Sequence, residues 1–245
     1  MTGQLQLFES RDLSAAWNVR VSRRARRLSV RVYPGGSVEV VVPPGASAAT
    51  VHSFVRNHRE WIDRRVADLS AAAPRAGETR PSSIELRAIG RTFAVTYLAA
   101  SGQTVSYRCG PHDDSVVLRG AVHSERAVAN ALRTWLCELA RLELRKLLTQ
   151  VASEGGFRFE RVQARRQRTR WGSCSATGTI SLNVCLLFLD PAVVRYLLIH
   201  ELCHTRHMNH SKRFWSLVEA HEPDYKRLDR ELLRGWQHVP GWVFG

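Results

Sequence analysis

The chain has 245 residues, a formal net charge of +14 and five cysteines. No run of about 18 apolar residues occurs, which excludes a membrane-spanning helix. The cysteines are odd in number, irregularly spaced and without a C-x-x-C pair, which excludes a disulfide framework. Because the start also lacks a basic and then apolar leader, we expect a soluble cytoplasmic protein with reduced thiols.

The amino-terminal half predicts a β-rich region with one helix. Alternating residues at 28–32 and 38–42 flank Pro34-Gly35-Gly36, which is typical of a hairpin. Ser47 is placed to open a helix that continues to Leu69. We expect an amino-terminal tail over residues 1–19, the β-rich region over residues 20–120 and, inside it, a linker over 71–83 and short strands at 84–89, 93–97, 105–109 and 116–118.

A long amphipathic helix from Ser124 to about Val151 is predicted to begin a second domain over residues 121–245. Further on, Asp190-Pro191 combines an N-cap residue with a proline at the first helical position. The apolar stretch that follows predicts a helix that carries the motif described next. The fold class predicted from these strands and helices is α+β.

His200-Glu201-Leu202-Cys203-His204 is the most informative segment of the chain. Residues four apart share a helical face, so the imidazoles of His200 and His204 can reach one divalent ion. Glu201 lies about 100° around the helix, where it can act on a metal-bound water. The pattern is typical of a zinc peptidase, with Glu201 as the catalytic base and a peptide or protein as the substrate.

A catalytic zinc usually has three protein ligands, and His210 is the favoured third ligand. Asn209-His210-Ser211 predicts a turn that can return His210 to the metal, provided that the first helix ends after His207. His207 itself would lie one turn too far along an unbroken helix. The alternatives for the third ligand are three carboxylates further along the chain: Glu219, Glu222 and Asp224.

Residues 169–175 and 179–182 flank Ala176-Thr177-Gly178 and predict a second hairpin. Arg170, Trp171 and Gly172 are candidates for substrate binding, since a glycine lets a substrate backbone approach closely. The alternative is a core hairpin in which Trp171 packs. Asn183 is predicted to make local hydrogen bonds. The donor that stabilises the oxyanion stays open among Tyr196, His207, Arg170 and Tyr225.

These motifs together resemble the YgjP-like metallopeptidases, which are related in their core to the SprT and WLM zincins. The similarity rests on residues 170–175, 178–183, 200–204 and 209–215, and extends over about residues 20 to 240. It implies a zincin-like catalytic domain, Zn²⁺ as cofactor, His200, His204 and His210 as ligands, and Glu201 as general base. His207 stands where metzincins have a glycine, so the chain is not assigned to the metzincins.

Arginines concentrate at positions 20–31 and 158–170. A basic surface of this kind can attract nucleic acid, and the SprT and WLM relatives act on proteins attached to DNA. The alternative to a peptidase is therefore a nucleic-acid-binding module with a structural zinc, or a DNA-associated protease of the SprT type. Glu201 favours the enzyme, because a structural zinc has no use for a carboxylate placed on water. The oligomeric state is not predicted.

Overall fold

The computed structural model describes residues 17–70, 79–110 and 113–244. The chain divides into two compact units, Met1–Pro74 and Arg75–Gly245. Within the described residues, six α-helices and three small sheets confirm the α+β class. No helix among them is long and apolar enough to cross a bilayer. Residues 1–16 of the predicted tail and 71–78 of the predicted linker lie outside the described residues.

The first unit contains a three-stranded sheet in the order β1-β3-β2. Strands β2 and β3 pair antiparallel and confirm the predicted hairpin, whose turn uses Gly35 and Gly36 at φ 89° and 80°. Strand β1 pairs parallel with β3. Its first three residues, 17–19, were expected to belong to the amino-terminal tail, and the structure places them in this strand. The strands are β1 (Trp17–Val21), β2 (Ser29–Val32) and β3 (Val38–Val42).

Two helices stand where one was predicted: α1 (Ala48–Asn57) and α2 (Arg59–Ser70). The chain leaves helical geometry at His58, with φ −110° and ψ 7°, and the His58 ring lies 2.8 Å from the carbonyl oxygen of Phe54. In α2 the side chains of Ile62 and Leu69 are buried, whereas Trp61 is 48% exposed and does not belong to the apolar face. Ser47 caps α1 as predicted.

The second unit begins with a four-stranded sheet in the order β4-β5-β7-β6, followed by the long helix α3. The Phe93 ring on β5 packs edge-on against Trp135 of α3 at 5.1 Å, which joins sheet and helix. These strands share a compact unit with α3, whereas the division of domains predicted at residue 120 stays a prediction. The elements are β4 (Ser83–Leu86), β5 (Arg91–Ala99), β6 (Val105–Arg108), β7 (Ser115–Gly120) and α3 (Glu125–Glu154).

A third sheet and three helices complete the second unit. The sheet order is β8-β10-β9, with β9 and β10 antiparallel, which confirms the second predicted hairpin. Helix α4 contacts α3, α5, α6 and β9, so it lies at the centre of this unit. The elements are β8 (Arg161–Arg165), β9 (Gly172–Cys174), β10 (Thr179–Asn183), α4 (Pro191–Cys203), α5 (Lys212–His221) and α6 (Tyr225–Arg234).

Candidate metal centre

Helix α4 gives the site a fixed support. Its N-cap Asp190 accepts a hydrogen bond from the backbone N–H of Ala192 at 3.0 Å, and Pro191 occupies the first turn, as predicted. Most of its residues are buried, including Tyr196 and Leu202 at 0% exposure. A helix that is apolar on nearly all sides packs inside a core. The helix ends at Cys203, earlier than the expected end after His207.

The early end of α4 brings three histidines together. The ligand nitrogens of His200, His204 and His210 all lie within 4.8 Å of one another, and this group could hold a metal ion. Nε2 of His210 lies 3.2 Å from Nε2 of His200. Two nitrogens bound to one tetrahedral metal ion at about 2.0 Å stand about 3.3 Å apart, so the spacing of this pair fits a shared metal ion. The alternative ligands do not belong to the group: Glu219, Glu222 and Asp224.

His204 is oriented by the backbone that follows the helix. Its Nδ1 lies 3.1 Å from the carbonyl oxygen of His207. A carbonyl only accepts hydrogen bonds, so Nδ1 carries the proton and Nε2 keeps a lone pair for a metal. The Phe214 ring stacks on the His204 ring, with the ring centroids 4.5 Å apart. His207 therefore contributes its backbone to the site, while its ring lies outside the ligand group.

The histidines are held in the state that binds metal. Burial, together with a smaller effect of the neighbouring His204 and His210, lowers the pKa of His200 to about 3. Burial also lowers the pKa of His204, despite the opposing hydrogen bond to His207. Only neutral imidazole binds a metal, so the two histidines are ready to bind at neutral pH without first losing a proton.

Glu201 is a buried carboxyl group with one oxygen free. Its residue is 4% exposed, and Oε2 has no hydrogen-bond partner in the part of the chain that the structure describes. Burial raises the pKa of Glu201 to about 8 in the metal-free protein, and the positive charge of Arg170 acts in the opposite direction. A carboxyl group with a free oxygen beside three histidines can exchange a proton with a water in the site.

Gly172 on β9 makes room for Glu201. A Cβ atom at this position would lie 2.6 Å from Oε1 of Glu201, which is closer than atoms can approach. The sequence suggested that this glycine admits a substrate backbone, whereas the structure places the carboxyl group of Glu201 in the space beside it. Contact between Gly172 and substrate stays a prediction.

The residues before β9 are fixed by packing and hydrogen bonds. Trp171 is 7% exposed and stacks on Trp236 at 4.0 Å, which matches the packing alternative. Asn183 is fully buried, and its Nδ2 donates to the carbonyl oxygens of Gln167 at 2.9 Å and Arg170 at 2.7 Å. These are the local hydrogen bonds predicted for Asn183. Together they hold Arg170 and β9 beside α4.

The candidates for oxyanion stabilisation differ in availability. The Tyr196 hydroxyl is buried and donates to Oδ1 of Asp229 at 2.8 Å, so it is already engaged. Tyr225 stacks on Trp215 at 5.4 Å, and Trp215 stacks on His210 at 5.7 Å. The sequence did not predict this aromatic row or the partner of Tyr196, and Asp229 lies 33 positions away from Tyr196 in the chain.

The nearby thiols are not metal ligands in this arrangement. Burial, together with a smaller effect of Glu201, raises the pKa of Cys174 to about 11. Burial also raises the pKa of Cys203 to about 12. A metal binds the thiolate, which is scarce at neutral pH under these conditions. Neither cysteine belongs to the histidine group.

Fold and site define an α+β protein with a histidine metal group and a buried glutamate. The model of the family described as "YgjP-like, metallopeptidase domain" matches residues 26–234, so the chain belongs to this family. The suspected resemblance is confirmed, and the chain is a metal-dependent peptidase in the general sense.

One similar solved structure is the crystal structure of the metallopeptidase zymogen of Pyrococcus abyssi abylysin. It is 28% identical, covers 39% of this chain and 97% of its own chain, and has a TM-score of 0.34. No curated protein matches this chain at a significant level.

Substitution of Gly172 tests the close approach of β9 to Glu201. In Gly172→Ala the new methyl group displaces the Glu201 carboxyl, because the three atoms nearest to it all belong to Glu201, and we expect metal content to be kept. Cleavage of casein should fall by about 100-fold, since a misplacement of about 1 Å at a reacting group can cost that much. Ser173→Ala on the same strand is the control. Unchanged cleavage by Gly172→Ala would contradict the assignment.

The raised pKa of Glu201 predicts a pH-dependent stability of the metal-free protein. Folding raises this pKa from 4.5 to about 8, so the folded state holds the proton more tightly. The contribution of the protonated Glu201 carboxyl to the free energy of unfolding is complete below about pH 4.5 and is lost as the pH rises through about 8. Glu201→Gln removes this contribution, so metal-stripped Glu201→Gln should gain stability over wild type between about pH 5 and pH 8.5 in thermal unfolding. A constant difference would show that Glu201 titrates normally.

Proposed function

We propose that the chain is a zinc-dependent metallopeptidase that hydrolyses peptide bonds with Glu201 as general base. The observation that carries the proposal is the convergence of His200, His204 and His210 beside the buried, unpaired carboxyl of Glu201. Neither feature serves the packing of the core, because a buried polar group without a partner costs stability. Both are accounted for by a metal-assisted hydrolysis.

Zinc is the metal that suits this donor set. Three imidazoles with no thiolate leave a fourth position for water, as in catalytic zinc sites. When bound there, zinc supplies a Lewis acid that polarises the scissile carbonyl and lowers the pKa of water to about 7.

The protein's own residues then control the transfer of the proton from the attacking water to the leaving nitrogen. Oε2 of Glu201 is free to accept a proton from the attacking water and to deliver it to the leaving nitrogen. Arg170 favours the ionised carboxylate that begins this cycle. Because Gly172 has no side chain, the side chain of Glu201 can occupy the space beside β9. The burial of Glu201 excludes bulk water from its carboxyl group.

The proposed substrate is an extended protein or peptide segment. Strand β9 lies at the edge of its sheet and contacts α4, so a substrate backbone can pair with it beside the histidines. Arg170 precedes this edge and is exposed, which supports its role in substrate binding. Trp171 would act through packing against Trp236, since its side chain is buried.

The alternative of a structural zinc in a nucleic-acid-binding module has less support. A closed structural site needs a fourth protein ligand, and the described group has three. Nucleic-acid contact of the SprT type remains a proposal for the exposed arginines between β1 and β2, such as Arg24 and Arg27.

The decisive experiment separates chemistry from binding. Glu201→Gln keeps the size of the side chain and removes the base, so it should retain zinc and fold while hydrolysis of casein falls by at least about 100-fold. Glu85→Gln, an exposed glutamate on β4, is the matched control and should cleave as the wild type does. Full cleavage by zinc-loaded Glu201→Gln would contradict the proposed mechanism.

A further inference from the structure

A groove on the second unit lies away from the histidines, between α3 and β8. Two cavities of about 220 Å³ and 410 Å³ form it, and Arg141 lines both. Helix α3 supplies one wall along its length from Asn130 to Arg145, and β8 with Arg166 supplies the other. Nothing in the proposed hydrolysis uses this surface.

Strand β8 is an edge strand that lines this groove. It pairs with β10 on one side only, and within the described residues no strand pairs with the other side. Three consecutive residues line the smaller cavity: Val162, Gln163 and Ala164. Successive side chains of a strand point to opposite faces, so a cavity that meets consecutive residues runs along the edge of the strand. Unpaired backbone groups at such an edge are a template for another strand.

The walls of the groove carry more positive than negative charge. Four arginines line it: Arg133, Arg141, Arg145 and Arg166. None of them takes part in any ion pair formed among the described residues. The lining carboxylate, Glu138, accepts a hydrogen bond from Tyr107.

Arg133 is fixed in the groove by neutral acceptors. Its Nε donates to the carbonyl oxygen of Trp242 at 2.7 Å and its Nη1 to Oδ1 of Asn130 at 3.0 Å. Burial lowers the pKa of Arg133, and the like charges of Arg166 and Arg168 lower it further. The repulsion among these guanidinium groups would be relieved by an anionic ligand.

We propose that the groove is a docking site for an acidic, extended segment of a partner protein, which adds a strand to β8 and sets its carboxylates against the arginines. The free edge supplies main-chain hydrogen bonds, and the arginines supply selectivity for acidic side chains. The proposal concerns binding and does not depend on hydrolysis at the histidine site.

A peptide fits the groove better than a nucleic acid does. No aromatic side chain lines either cavity, and unpaired bases bind mainly by stacking on such side chains. A nucleic acid also lacks the regular amide donors and acceptors that an edge strand pairs with. The wall from Asn130 to Arg145 is about 22 Å long at 1.5 Å per helical residue. That length accommodates about six residues of an extended chain.

The test measures binding of a labelled hexapeptide with alternating Glu and Val by fluorescence anisotropy. The full chain carrying Glu201→Gln is used, so that the peptide stays intact. Arg141→Gln should weaken binding by about tenfold, since it removes the charge shared by both cavities. Lys146→Gln removes a charge from the far face of α3 and should change binding by less than about twofold. Equal effects of the two variants would overturn the proposal.

Two further probes distinguish the mode of binding. Two hexapeptides are compared, one N-methylated at the odd residues and one at the even residues, so that each lacks the N–H donors along one edge of the extended peptide. If the peptide pairs with β8, only one of the two should lose binding. Equal binding of both would exclude strand addition. A peptide with Gln in place of Glu should bind at least about tenfold more weakly. Comparable affinity of the Gln peptide, or a preference for a thymidine oligonucleotide of matched length, would also overturn the proposal.

Discussion

The structure depends on one constraint, which is the burial of an unpaired carboxyl group at the centre of the second unit. Glu201 is 4% exposed and one of its oxygens has no partner among the described residues. Burying such a group costs several kcal/mol as a rule, and the apolar packing of α4 on its other faces offsets the cost. The carboxyl needs space next to β9, and Gly172 provides it.

The ligand geometry follows from where α4 ends. Because the helix stops at Cys203, the chain turns and the carbonyl oxygen of His207 can orient His204, while His210 returns to His200. The loop before β9 is held from the opposite side by Asn183. Backbone positions and buried side chains thus fix the histidines and Glu201, as a well-defined metal centre requires.

Much of the fold and the site was predictable because the signals are local. The caps at Ser47 and Asp190, both hairpins and the spacing of His200 and His204 each occupy a few neighbouring residues. The contacts between Gly172 and Glu201, between Tyr196 and Asp229, and between Trp171 and Trp236 were not predictable. They join residues about 30 or more positions apart, and a single sequence carries no record of such distances. The helix break at His58, which lacks Gly or Pro, also had no local signal.

The central claim is that His200, His204 and His210 together hold the metal, and zinc content tests it most directly. After loading with zinc and removal of the excess, we expect about one zinc per wild-type chain and a loss of most of it in His210→Ala, as in His204→Ala. Glu219→Ala, which removes the nearest competing carboxylate in the sequence, should keep its zinc. Full occupancy in His210→Ala with loss in Glu219→Ala would contradict the account.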